Sequence, residues 1–170
     1  FQLRGNIHFP QGDYGLCRRL HREALHHARL ARHAQSEARA LSGIADSYYA
    51  QGRMRRAYAI YDQCVQRGGL VDVAHVVAGN VAARSSTAAY LGLREQALRD
   101  SEYAVTCSAR IGDRRAEVFA RLTAVWVLSD MGQDEQAAEA VESALALAQR
   151  IGTSRFEPML LEVSARLAQR

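Results

Sequence analysis

The residues best placed to do chemistry are Cys17, His21, His26 and His27, gathered in one short stretch. Thiolate sulfur and imidazole nitrogen are good zinc ligands, and two of them four residues apart on a helix share a face. Cys17 and His21 have that spacing. His26 lies five beyond His21 and His27 six beyond, so neither completes a compact set. Cys17 also falls in a column of small packing residues described below. The expectation is therefore surface histidines beside a packed thiol, with no metal and no cofactor. Glu23 and Asp100 have no partner at a spacing suited to acid–base work. No CxxC, no HExxH and no phosphate-binding glycine loop occurs, since the glycines come mostly singly. The expectation is a protein that binds rather than catalyses.

Arg18, Arg19, Arg22, Arg29 and Arg32 form the densest positive patch. No aromatic residues are spaced among them to stack on bases, so nucleic acid is disfavoured as a partner. Glu23 is interleaved, and the patch reads as the solvated face of an outer helix. The formal net charge is +4, and all 22 basic residues are arginine. Acidic residues are spread along the same segments, which describes a mixed solvated surface.

These residues sit on segments rich in Ala, Leu, Arg, Glu and Gln, all good helix formers. Only two prolines occur, Pro10 and Pro158, and no alternating apolar pattern runs to a useful length. The fold class expected is all-α. An apolar content of 48% over 170 residues supplies a continuous core. Cys17, Cys64 and Cys107 are odd in number and widely spaced, which suits buried thiols in a reducing compartment rather than a disulfide framework. No secretory signal and no membrane-spanning run is visible, so a cytoplasmic location without membrane contact is expected. The chain begins at Phe1, inside a helical pattern, and reads as part of a longer protein.

The organising feature is a repeat. Gly12, Gly52, Gly92 and Gly132 follow one another at intervals of 40 residues. Five residues after each stands a small residue: Cys17, Ala57, Ala97, Ala137. Seven further on stands another: Ala24, Cys64, Ala104, Ala144. Ile111-Gly112-Asp113 is echoed by Ile151-Gly152-Thr153, again 40 apart. A glycine ends a helix by taking left-handed backbone angles without a Cβ clash. A second helix then folds back, and small residues seven apart lie on one face and let the two helices approach closely.

The spacing predicts helices over 3–11 and 13–33, 36–51 and 54–67, 73–91 and 94–111, 114–131 and 134–151, and a last one over about 156–169. Gly68-Gly69 is read as a helix stop between pairs. Approximate repeats are 1–33, 34–69, 70–112 and 113–153, with a terminal helix in 154–170, all in a single domain. Leu160, Val163 and Leu167 form a stripe that docks the last helix as a cap, with Glu162, Arg166 and Arg170 facing water.

At these columns the sequence resembles the tetratricopeptide repeat family. The best match is segment 41–64, with Leu41, Ile44, small Ala45, aromatic Tyr48, loop Gly52, Ala57, aromatic Tyr61 and small Cys64. Later copies keep the glycine and small residues but carry Ser101 and Val141 where Tyr61 stands, and Val125 where Ala45 stands. The period exceeds the roughly 34 residues usual for the family, which implies longer helices. The resemblance implies a right-handed superhelical solenoid of antiparallel helix pairs. Segments 4–31, 92–98 and 144–157 also resemble repeat regions of bacterial signalling ATPases that follow a nucleotide-cyclase or regulatory domain. That resemblance implies the arm of a larger cytoplasmic regulator.

In the tetratricopeptide family the first helix of each pair lines a concave groove. Carried onto this sequence, the groove residues are Asn6 and Phe9; Arg39, Ser42, Asp46 and Tyr49; Ala82, Ser86 and Ala89; and Phe119, Leu122, Trp126 and Ser129, with Tyr90 at the edge. Phe9, Tyr49 and Trp126 would be apolar anchors, Arg39 would take a carboxylate and Asp46 a basic group. Trp126 could equally pack between neighbouring pairs. The implied function is a protein-interaction scaffold for a peptide or partner segment. The alternatives are a small-ligand sensor arm and self-association through repeat ends, for which Phe1 and Leu3 offer an apolar start.

Overall fold

The computed structural model describes residues 2–68 and 74–169, and every regular element among them is helical. In chain order these are α1 (Gln2–His8), α2 (Tyr14–Leu30), α3 (Ala34–Tyr49), α4 (Met54–Gly68), α5 (Ala74–Tyr90), α6 (Arg94–Ile111), α7 (Arg114–Asp130), α8 (Asp134–Arg150) and α9 (Glu157–Leu167). The expected helices are all present. α1 and α2 end earlier than the spacing predicts, because the chain turns at once. Asp13 N–H bonds the His8 carbonyl at 3.2 Å, and His33 N–H bonds that of Ala28 at 2.9 Å. α4 runs through Gly68. Gly69, Val73, Phe1 and Arg170, on which other expectations fell, lie outside the described residues.

The repeated loop has one geometry. Gly12, Gly52, Gly92 and Gly132 take φ of 79°, 70°, 76° and 72°. The next residue closes each turn onto the end of the first helix. Arg53 N–H bonds Tyr48 O at 2.9 Å, Leu93 bonds Ala88 at 2.9 Å and Gln133 bonds Leu128 at 3.0 Å. This is the Schellman closure that spares the last carbonyls from being buried unpaired. The second loop column also needs left-handed backbone, supplied by Gly112 and Gly152 and, in the first copy, by Arg32 at φ 49°.

The small columns sit where the helices cross. Cys17, Ala57, Ala97 and Ala137 are buried, as are Cys64, Ala104 and Ala144. Ala24 is half-buried. The first helices α1, α3, α5, α7 and α9 each touch the next in that series. Among the described residues the second helices α2, α4, α6 and α8 touch only helices adjacent in sequence. First helices therefore crowd together while second helices splay apart, which bends an all-α solenoid into a wall with the first helices inside. At its far end Leu160 and Val163 of α9 are buried against Leu122, Val125, Val141 and Ala144, with Leu167 packed beside them.

One expectation is corrected at the near end. His21 is not a surface histidine: it is 1% exposed. Its ring is held between Gly5 of α1 and Gly43 of α3, where an added Cβ would lie 2.7 Å and 2.3 Å from ring atoms. Both glycines are required by the imidazole. Gly43→Ala is expected to lower stability by about 1–3 kcal/mol, because the added Cβ would lie 2.3 Å from the ring and force it out of its packed position beside Gly5. Urea unfolding of the two proteins measures it.

Candidate binding groove

The concave wall encloses a cavity of about 690 Å³ that runs from α1 to α9. Asn6, Phe9, Arg39, Ser42, Asp46, Tyr49, Ser86, Phe119, Leu122 and Trp126 all line it. The helical period explains the grouping: Arg39, Ser42, Asp46 and Tyr49 recur every three or four residues and so form one stripe of α3. Phe119, Leu122 and Trp126 form the matching stripe of α7.

Other expected residues fall elsewhere. Ala82 is fully buried with Val81, Ala104 and Ala120. α5 is turned so that Val76, Gly79, Asn80 and Ala83 face the groove instead. Tyr90 and Ala89 line a neighbouring cavity of about 400 Å³, which shares Ser86 and Trp126 with the first. Tyr90 is 66% exposed, and its ring meets Tyr49 edge-on at 6.2 Å. Ser129 is half-buried and lines neither of these cavities. Leu122 borders the groove but is fully buried, part of the floor beneath it. Trp126 combines its two readings: half-buried, it packs on the Leu122–Leu160 core and also walls both cavities.

Several lining residues had no expectation attached. Arg155, Phe156 and Met159 come from the approach to α9 and its first turn. Phe156 packs on Phe119 with ring centroids 6.0 Å apart, and the Arg155 guanidinium lies 5.5 Å from the Phe156 centroid. Tyr61 reaches in from α4, a second helix, because its hydroxyl donates to Asp46 Oδ1 at 2.5 Å. Asn80 is 4% exposed; its amide nitrogen donates to the Val76 carbonyl at 2.7 Å, while Oδ1 has no partner. The signal in the sequence was a single asparagine in the apolar run 76–83.

The groove is polar at chosen points. Burial pushes the Asp46 carboxyl up to about 6, partly offset by the Tyr61 hydrogen bond. The ionised form is therefore a stability cost at neutral pH, since the folded state holds the proton better than the unfolded chain between about pH 4 and 6. Burial, with Tyr90 beside it, pushes Tyr49 up to about 12. Arg39 is exposed and has no ion-pair partner among the described residues. Among the lining residues Arg39 and Arg155 are the cations and Asp46 the anion.

Of the four residues in the Cys17–His27 stretch, Cys17 and His21 are packed inside, while His26 and His27 are exposed, as expected. Cys17 is buried, and burial together with Asp46 raises its thiol. Among the described residues no group of three or more His, Cys, Asp or Glu is placed to hold a metal. Asp100 is held in an ion pair by Arg84. Arg18 and Arg22 of the basic patch turn toward α3: Arg22 donates to the Tyr48 hydroxyl at 3.0 Å, and the Arg18 guanidinium lies 4.8 Å from the Tyr48 ring centroid. No described helix is long and apolar enough to cross a membrane.

No protein-family model and no curated protein matches this sequence. Solved structures do. One is a Podosopora anserina protein described as a kinesin light chain with nearly identical TPR-like repeats, at TM-score 0.74 and 15% identity, covering 99% of this chain and 83% of that one. A single-site variant of it gives TM-score 0.75 and 17% identity over the same shares. BtubC (BKLC) from P. vanneervenii gives TM-score 0.66 and 18% identity, covering 82% of this chain and 59% of that one. At these identities the likeness establishes the fold, a tetratricopeptide-like helical repeat.

Proposed function

We propose that this chain is a protein-interaction scaffold that holds an extended segment of a partner protein in its concave groove. The observation that carries the reading is the composition of the 690 Å³ cavity. Aromatic side chains Phe9, Tyr49, Phe119, Trp126 and Phe156 line it beside a buried asparagine oxygen with no partner. Arg39 and Arg155 match a carboxylate on the segment and Asp46 a basic group, which fixes the direction in which it lies. Aromatic side chains in half-buried pockets are the usual energetic centres of such contacts. The resemblance to signalling regulators supports a place for the chain as the arm of a larger cytoplasmic regulatory protein.

The test begins with peptides selected from a random library on the intact protein. A selected peptide should bind one to one and lose about thirtyfold in affinity on Trp126→Ala, the scale of an anchor worth about 2 kcal/mol. Arg39→Ala should weaken peptides that carry an acidic residue and spare those without one. Unchanged affinity in both variants, with helicity preserved by circular dichroism, would move the binding surface off the groove. A small-molecule ligand is the second reading, because the cavity volume lies within the range of about 300–1,000 Å³ typical of such sites. A screen returning compounds but no peptides would favour it.

A further inference from the structure

Beneath α1 the groove opens into a side cavity of about 160 Å³ lined by Asn6, Phe9, Cys17, His21, Gly43 and Asp46. Asn6, Phe9, Gly43 and Asp46 belong to both spaces, so the side cavity is a branch of the groove. It has room for the end of a long side chain rather than for one water. We propose that it is a specificity pocket for the primary ammonium group of a lysine-type side chain carried by the segment in the groove. This rests on the groove reading above.

The lining of the pocket suits a cation. Asp46 is its only acidic residue, and no cationic side chain of the described residues pairs with it. One oxygen, Oδ1, accepts from Tyr61, which leaves Oδ2 for a ligand. His21 is buried, and burial lowers its pKa, so at neutral pH it brings no charge to oppose a cation. Its Nδ1 makes no hydrogen bond. Phe9 offers an aromatic ring to the ammonium or to the alkyl stem behind it. Asn6 adds an amide oxygen. Two helix-interior glycines, each unfavourable against alanine, keep the His21 ring at this wall.

A primary ammonium fits better than a guanidinium. Oδ1 of Asp46 already accepts from Tyr61, so a guanidinium fork would have to share that oxygen in order to engage two. A point charge needs one. Recognition requires the ionised carboxylate and is therefore lost as pH falls through about 6. The titratable groups facing Asp46 are Cys17 and His21 from α2 and Tyr61 and Cys64 from α4. The lining residues of α1 and α5 are uncharged.

The probe is a random dodecapeptide library displayed on phage, selected at pH 7.5 on the wild-type chain and on Asp46→Asn. Asparagine keeps an acceptor for Tyr61 and removes the charge. The wild type should select peptides with lysine at one fixed position, and Asp46→Asn should not. A synthetic peptide with norleucine in place of that lysine should bind the wild type about tenfold more weakly and bind Asp46→Asn as well as the lysine peptide does. Lowering the pH from 7.5 to 5 should remove the preference of the wild type for lysine over norleucine. Peptides that depend on Trp126 but show no positional lysine would overturn the pocket and leave the groove standing. So would a lysine preference that survives Asp46→Asn or the lower pH. Failure to select any peptide that depends on Trp126 would overturn pocket and groove together.

Discussion

Arg84→Ala is expected to cost about 3–5 kcal/mol of stability, more than any surface substitution in the chain. Arg84 on α5 ties three helices together. Its Nε and one terminal nitrogen hold both oxygens of Asp100 on α6, at 2.8 and 2.7 Å. The other terminal nitrogen holds Asp62 on α4 at 2.6 Å. Gln96 and Gln66 complete the carboxylates, at 2.9 and 2.7 Å. The Asp100 side chain is only 5% exposed. Burial alone would pull the guanidinium down, but the hydrogen bonds and charges of Asp100 and Asp62 hold it above its ordinary value. Removing it strands a buried carboxylate without a counter-charge, and that, rather than the lost bonds, sets the size of the effect. Arg84→Met should therefore be nearly as damaging, while Arg84→Met combined with Asp100→Leu should recover much of the loss. Chemical denaturation of the three variants measures this. An Arg84→Ala cost below about 1 kcal/mol, the scale of a surface pair, would mean that the carboxylates are hydrated.

Leu160→Ala is expected to cost about 2–5 kcal/mol, but the damage should be confined to one end. Leu160 is fully buried in the cluster of Leu122, Val125, Val141, Ala144 and Val163. α9 touches only α7 and α8 among the described elements. In a stack of repeats each unit is stabilised by its neighbours, so a terminal defect frays the terminus first. Hydrogen exchange should show α9 losing protection in the variant while α3 and α4 keep theirs. Peptide affinity should fall as well, because Arg155, Phe156 and Met159 wall the groove only while α9 is docked. Uniform loss of protection along the chain would instead show that the stack unfolds as one cooperative unit.

The helices and their pairing were legible because the information is local. A glycine at left-handed φ, a closing N–H and small residues seven apart are properties of short segments, and a 40-residue interval repeats them. The groove stripes of α3 and α7 follow from helical periodicity once the resemblance says which face is concave. α5 shows where this stops. Ala82 has the expected position, yet it packs into the core, and Asn80 faces the groove. The rotation of α5 is set by its fit to helices on both sides, which no segment of sequence contains.

Local sequence pattern was enough for an all-α repeat and the positions of its helices, and with the family resemblance it reached half of the residues that line the cavity. Packing between whole helices set the rest: His21 is buried between two glycines from separate helices, Tyr61 reaches Asp46, and α9 closes the far wall. Each of these depends on the angle at which whole helices meet. That angle is a sum of many weak packing contacts along the stack, not a property of any one repeat.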